Sequence, residues 1–446
     1  MGDDLNSDQP MTKTRFAFRC CAVLLPAALL AATAQARLEI EIVQGVDSAL
    51  PIAIVPFAWQ ADDPEPVERV SDIIAADLYR SGQFAPLAEQ DMIERPQQPA
   101  DIRFGTWRLL KNDALVIGTV RQGAGGGHEI DYHLFDVFSG RPLLQQTMVD
   151  RGGDLRFTAH RIADEIYEAL TGVPGAFATR IAYVVASGTG EKINYELVVA
   201  DSDGYNEQTI VASPEPLLSP AWSPDGSRIA YVSFARGNST VVIQNVYTGE
   251  RRTIAAHRGI NGAPAFSPDG QKLALTLSRA GSPEINLYDL ASGELTELTH
   301  HWAIDTEPVF TPDGRDILFT SDRGGRPQIY RISAAGGEAE RITFQGEYNA
   351  RPALTPDGQW LATTHGNGND YRIALFHREN GQFRVLSSGR LDESPSFAPN
   401  GRMILYATKE AGNGVLAAVS IDGRVRQKLV QRLGDVREPA WSPRVR

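Results

Sequence analysis

The chain is poor in the residues on which thiol and metal chemistry depends. It has two cysteines, Cys20 and Cys21, adjacent and near the N-terminus. They lie within a segment that reads as a secretory signal. Lys13, Arg15 and Arg19 form a basic n-region, CAVLLPAALLAA (21–32) an apolar h-region, and AQA (34–36) a small-residue cleavage site ahead of Arg37. The apolar run is short for a membrane span, and Pro26 interrupts it. Removal of 1–36 leaves no cysteine, which excludes a disulfide, a thiol nucleophile and a thiolate metal site. A chain that is exported but not stapled suits a bacterial periplasm.

Other signatures are missing too. There is no G-x-S-x-G nucleophile elbow and no H-E-x-x-H metal motif, and the eight histidines do not cluster at ligand spacing. GAGGG (123–127) lacks the lysine of a phosphate-binding loop and reads as a hairpin turn. DSDG (201–204) has a trace of a calcium loop but falls on a repeating turn position, so the turn reading is preferred. Basic stretches interleaved with aromatics are absent. The formal net charge is −12, and loss of the signal removes three acids and three bases. Binding a phosphate backbone or an anionic membrane face would therefore run against the electrostatics.

What the chain has in quantity is a repeat. Pro220, Pro264, Pro308, Pro352, Pro395 and Pro439 open near-copies of one motif, at spacings of 44, 44, 44, 43 and 44 residues. A fixed period of this size means a propeller or a solenoid. Within each unit, S-P-D-G or a variant supplies a tight turn: Pro presets one dihedral and Gly takes a left-handed position. Short strands such as RIAYVS and VVIQNV flank it, and a second glycine turn recurs at TGE, SGE, GGE, NGQ and DGR. Four strands per unit make one propeller blade. RIAYVVAS (180–187) matches the back half of the motif without a front half, whereas PAWSP (439–443) is a front half without a continuation. Pairing the two gives a sixth blade built from both ends of the repeat region. Pro439, Ala440, Trp441, Ser442 and Pro443 are then the ring-closing residues, and no sheet edge is left open. The predicted fold is an all-β six-bladed propeller over 176–446, preceded by a small α/β domain over 37–175.

In that first domain RLEIEIV alternates as a strand. PIAIVPFAW (51–59) reads as one buried strand, and Val67, Val70, Ile74 and Leu78 share a helical face that Gly82 ends. Strands are expected at 114–120, 129–138 and 142–149. A helix over 154–170 carries Leu155, Ile162, Ile166 and Leu170, with Gly172 as its cap.

Asp305 and Glu307 are a carboxylate pair close enough for acid–base work. However, Asn261, Asp305, Asn349 and Asp392 each stand three residues ahead of a repeat proline, and turn capping accounts for them. With no enzyme motif, the remaining reading is a binding scaffold. The loops LLSP, NGAP, DTEP, NARP, DESP and VREP differ sharply while the strands after them are alike, so they form an asymmetric mouth. Sugar sites favour aromatics, and these windows hold none, which favours a protein partner over a carbohydrate or small ligand.

These residues resemble the TolB family of periplasmic Tol–Pal components. GVDSALPIAIVPF, IIAADLYRSGQFAPL, TRIAYV, LSPAWSPDGS, NGAPAFSPDG, TEPVFTPDG and the terminal PAWSP carry the resemblance across the mature chain. The resemblance implies a periplasmic monomer without cofactor or metal. It implies docking of the lipoprotein Pal on the mouth at Leu218, Ser219, Asn261, Ala263, Thr306 and Glu307. Through the mobile segment 37–48, chiefly Arg37, Leu38, Glu39, Ile40, Glu41, Ile42 and Val43, it implies contact with TolA. It further implies a role in outer-membrane integrity and constriction during division, exploited by some bacteriocins. One departure is Ile260, which stands where relatives can carry a histidine.

Overall fold

The computed structural model describes residues 39–44, 49–124, 126–150, 152–189, 192–430 and 434–444. The signal segment, its cysteines, and Arg37 and Leu38 lie outside the described residues.

After a first strand, β1 (Glu39–Gln44), the N-terminal domain is built from β2 (Leu50–Ile54), β3 (Ala58–Gln60), α1 (Val70–Arg80), β4 (Phe84–Pro86), α2 (Phe104–Leu109), β5 (Ala114–Gln122), β6 (His128–Asp136), β7 (Pro142–Asp150) and α3 (Leu155–Thr171). Its sheet runs β4-β2-β5-β6-β7, with β3 alongside β5. The first seven residues of β5 are all buried, as expected of a strand covered on both faces. On one face Ile73, Ile74 and Leu78 of α1 meet Ile162 and Ile166 of α3 over the sheet. On the other, Trp107 of α2 seals Leu115 and Ile117.

Three sequence expectations shift here. The run 51–59 is two strands, because Pro56 has no N–H to continue a ladder. Val67 lies ahead of α1, fully exposed, so it is not part of the buried helical face. α2 was not expected: six residues with one buried side chain show no helical period. α3 follows its caps, with the Asp154 carboxylate accepting the Phe157 N–H at 2.9 Å and Gly172 closing the last turn at φ 70°.

The remainder is a six-bladed β-propeller of four-stranded sheets. Blade 1 opens at Leu217–Trp222, blade 2 at Asn261–Phe266, blade 3 at Asp305–Phe310, blade 4 at Tyr348–Leu354 and blade 5 at Glu393–Phe397. Blade 6 joins the last strand, Asp435–Trp441, to Arg180–Thr189, Lys192–Asp201 and Gln208–Ser213. The two chain regions pair antiparallel, Ala440 opposite Ala182 and Trp441 opposite Ile181. Trp441 packs on a cluster drawn from blades 5 and 6, including Ile181, Tyr183, Leu405 and Leu416. Its Nε1 donates to Thr179 Oγ1 at 2.9 Å, and its backbone N–H to Ser396 Oγ at 2.9 Å.

β1 does not join the domain that precedes the propeller. It pairs antiparallel with Arg426–Val430, Glu39 opposite Val430 and Ile42 opposite Gln427, giving blade 5 a fifth, outer strand. The register shifts at Val43. The N-terminal domain meets the propeller at the end that carries the P-D-G turns. Asn400, in the blade 5 turn, donates to the Pro174 carbonyl at 3.1 Å. Gly82 must be glycine on two counts: φ is +68°, and a Cβ there would stand 2.4 Å from a Val425 methyl.

Candidate functional site: the propeller mouth

At the opposite end, one backbone feature repeats in every blade. The residue before each motif proline is left-handed: Ser219 (φ 50°), Ala263 (44°), Glu307 (55°), Arg351 (53°), Ser394 (58°) and Glu438 (54°). None is glycine, so each costs on the order of 1 kcal/mol. Strand pairing slips at the same place, for instance between Leu218 and Ala221, which marks a β-bulge. The bulge turns these six side chains toward the axis, where with their prolines they line a cavity of about 150 Å³.

The ring is chemically lopsided. Arg351 reaches from blade 4 to the blade 6 carboxylate of Glu438 with two hydrogen bonds, 2.8 and 2.9 Å. The guanidinium also donates to Ser394 Oγ at 2.8 Å and stands 3.2 Å from Glu307. Glu307 in turn accepts the Arg351 backbone N–H at 2.9 Å and the Thr320 hydroxyl at 2.8 Å. Glu438 accepts the Ser219 N–H at 3.2 Å. One ionic clasp thus ties blades 3, 4, 5, 6 and 1 across the axis. Burial alone would raise the Glu438 carboxyl, but the Arg351 charge and hydrogen bonds outweigh it and hold it below the ordinary range. Burial likewise disfavours the Arg351 cation, and Glu438 and Glu307 overcome that and keep it protonated.

Outside the ring the mouth carries exposed apolar side chains. Ile260 is 49% exposed, Trp302 79%, Ile304 50% and Leu391 41%. Ile260 and Ile304 are fixed by their backbones, whose N–H groups donate to Ser278 Oγ (2.7 Å) and Asp322 Oδ1 (2.8 Å). Trp302 leans on His301, ring centroids 5.1 Å apart. Exposed apolar groups of this size on the loops entering blades 2, 3 and 5 mark an interaction surface.

The predicted mouth residues separate into two kinds. Leu218, Ser219, Ala263, Thr306 and Glu307 are half-buried at the mouth. Asn261 is fully buried, and its amide donates to the Ser239, His257 and Gly259 carbonyls, so its side chain holds the loop from within. Asp305 is equally buried and bound to Arg323 at 2.5 Å, sharing no partner with Glu307. Sequence reading missed Arg351, whose role needs the ring to be closed. It also missed Trp302 and Tyr348, which precede the loops DTEP (305–308) and NARP (349–352).

A second cluster lies at the seam between the domains. His160 of α3 has Nδ1 2.6 Å from Asp77 of α1 and Nε2 3.5 Å from Asp203 of the propeller. These three could hold a metal ion by spacing. Their carboxylates are already engaged: Arg80 binds Asp77 at 2.8 Å, and Arg156 binds both Asp203 and Glu68. With two guanidiniums in place the set fits an imidazolium rather than a metal. Burial would lower the His160 pKa, yet Asp77 and Asp203 raise it on balance. The histidine spacing in sequence gave no hint of this, since its partners lie 83 and 43 residues away. No helix among the described residues is long and apolar enough to cross a membrane.

Known proteins match along nearly the whole chain. A family model described as the TolB beta propeller domain covers 167–445, and one described as the TolB amino-terminal domain covers 38–143. The Tol-Pal system protein TolB of Xanthomonas oryzae pv. oryzae is 56% identical over 423 residues, 94% of this chain and 96% of the relative. That of Xanthomonas axonopodis pv. citri is 56% identical over 424 residues, 95% and 96%. A crystal structure of TolB from Acinetobacter baumannii superposes with a TM-score of 0.84 at 40% identity, covering 91% of this chain and all of that one.

Proposed function

The chain belongs to the TolB family, and on that premise we propose that it is a non-enzymatic periplasmic scaffold of the Tol–Pal system, binding Pal at the propeller mouth and TolA through segment 37–48. In this role it supports outer-membrane integrity and constriction at division. The observation that carries the reading is the rim of Ile260, Trp302, Ile304 and Leu391 around a mouth with no catalytic constellation among its described residues. Three aliphatic side chains beside a single strongly exposed tryptophan suit a protein surface better than a sugar, which wants stacked rings.

The pairing of β1 supports a switch. The segment assigned to TolA is engaged, residues 39–44 being laddered to the outer strand of blade 5. TolA must compete for that strand, so any ligand favouring the docked state weakens TolA binding by the same factor. We take Pal to be that ligand, which makes the two partners mutually exclusive. Calorimetry with purified Pal and TolA tests this. Deletion of 37–48 should abolish TolA binding and leave Pal binding intact. Equal protection of amides 39–44 from hydrogen exchange with and without Pal would overturn the switch.

A further inference from the structure

The N-terminal domain ends its sheet on an unusual edge. β7 has one sheet neighbour, β6, and its other side is unpaired among the described residues. The strand is PLLQQTMVD, nine residues whose one charge is the terminal Asp150. Natural edges of this length are blunted by lysine, by an internal proline or by a bulge in mid-strand. Here the proline stands at the first position, and the register irregularity falls at the start of the strand, between Leu134 and Phe135 of β6. Leu143 is 45% exposed and Val149 42%.

Beside this edge a groove of about 590 Å³ opens between β7 and α3. Met148 and Phe157 form apolar walls, and among the described lining residues Asp150, Asp154 and Glu165 outnumber the cation Arg161. Asp150 is 3% exposed. One of its oxygens accepts the Gly152 and Asp154 N–H groups, and the other has no hydrogen bond, with His128 Nδ1 3.8 Å away. On the far face of the strand Glu129 and Asp131 of β6 add negative charge against Arg121, which pairs with Asp131.

We propose that β7 is a docking edge for an extended segment of another protein, one in which lysine or arginine alternates with apolar residues. Strand addition would satisfy the free backbone groups along β7, the apolar side chains would cover Met148 and Phe157, and the cations would meet the acidic groove. A second copy is the poorer occupant. Antiparallel self-pairing about Gln146 would match Leu143 with Val149 but would join two acidic grooves on chains of net charge −12. The chain's own N-terminal strand is already placed on blade 5.

The test uses the full mature protein and a synthetic peptide of about nine residues alternating lysine and valine. Its controls are the same peptide with glutamate for lysine and with a central proline, each titrated by calorimetry at two salt concentrations. The lysine peptide should bind and slow hydrogen exchange along β7, the glutamate peptide should not, and the proline peptide should bind about tenfold more weakly. A Leu143→Lys, Val149→Lys variant changes two exposed positions, keeps its melting temperature and should lose about tenfold in affinity. Unchanged affinity in that variant, or no added protection in β7, overturns the proposal. Concentration-dependent dimers that vanish in the variant would also overturn it, by making a second copy the occupant.

Discussion

Two buried charge networks hold this molecule together at opposite ends of the propeller, and they differ in the one respect that matters at neutral pH. The axial clasp joins a guanidinium to carboxylates, Arg351 to Glu438 and Glu307. The seam cluster places an imidazole, His160, between Asp77 and Asp203. Arginine stays charged at any physiological pH, and Glu438 is held below the ordinary carboxylate range. The clasp is therefore constant, and its contribution is lost only in acid, as pH falls through the depressed Glu438 value. Histidine loses its charge within reach of neutrality, so the seam is adjustable. A ring that must stay closed is fixed by one chemistry, while a junction between domains is held by another.

The harshest way to break the comparison is to cut the chain directly behind Glu438, the clasp residue of blade 6. Deleting 439–446 removes the pairs of Ala440 with Ala182 and Trp441 with Ile181 and takes the Trp441 ring off Tyr183, Leu405 and Leu416. We expect a loss of about 5 kcal/mol or more, with aggregation. An unchanged melting temperature would show that the ring does not depend on this closure.

Arg351→Met comes next. It leaves Glu438 buried without its partner, a change that costs about 3–5 kcal/mol for a fully dry pair. The guanidinium is 32% exposed, which lowers the expectation to about 2–3 kcal/mol. Without Arg351, burial raises the Glu438 carboxyl, so protonation should relieve the orphaned charge in acid and the loss measured by denaturant unfolding should grow as pH rises through the raised value. A loss that was the same in acid and at neutral pH would show that Glu438 finds another partner.

The rim should behave differently from the ring. Trp302→Ala and Thr306→Ala are each expected to weaken Pal binding by about 1–3 kcal/mol at constant melting temperature. Glu307→Ala should lower both affinity and stability, because Glu307 also braces Arg351. Calorimetry paired with thermal melts separates the two. If Glu307→Ala leaves stability untouched, the clasp needs only Glu438.

The propeller was largely legible in sequence because its physics is local and repeated. S-P-D-G dictates a turn wherever it occurs, and a period near 44 residues leaves one architecture. The unmatched halves at 180 and 439 announced the closure for the same reason. What could not be read depends on neighbours brought together by the closed ring. Arg351 sits in a loop no different on paper from the other five until the bulge aims it at Glu438, 87 residues on. Asn261 was placed at the mouth by position, but its amide faces inward because three carbonyls surround it. Trp302 stands three residues ahead of the DTEP loop, too far from the repeat proline to be read as part of the mouth, and the seam histidine escaped because its partners come from two other elements.

The mildest test addresses the seam itself. His160 is raised in the folded protein relative to about 6.5 in an unfolded chain. A raised pKa means that the folded state holds the proton more tightly, so the stabilisation is complete below about pH 6.5 and fades as pH climbs through the folded value. Asp203, depressed on balance because Arg80, His160 and Arg156 outweigh its burial, loses its own contribution only on the acid side. Asp164, pushed up to about 6 by burial, titrates just below this window and is common to both proteins compared. His160→Gln keeps a hydrogen-bonding group toward Asp77 but no charge. The variant should be the less stable protein at pH 6, by about 1 kcal/mol, and the gap should close toward pH 9, at no more than about 1.4 kcal/mol per pH unit. Melting curves of both proteins across that range measure the difference directly. A gap that stays constant with pH would mean that His160 is neutral at the seam, and that the two networks are alike after all.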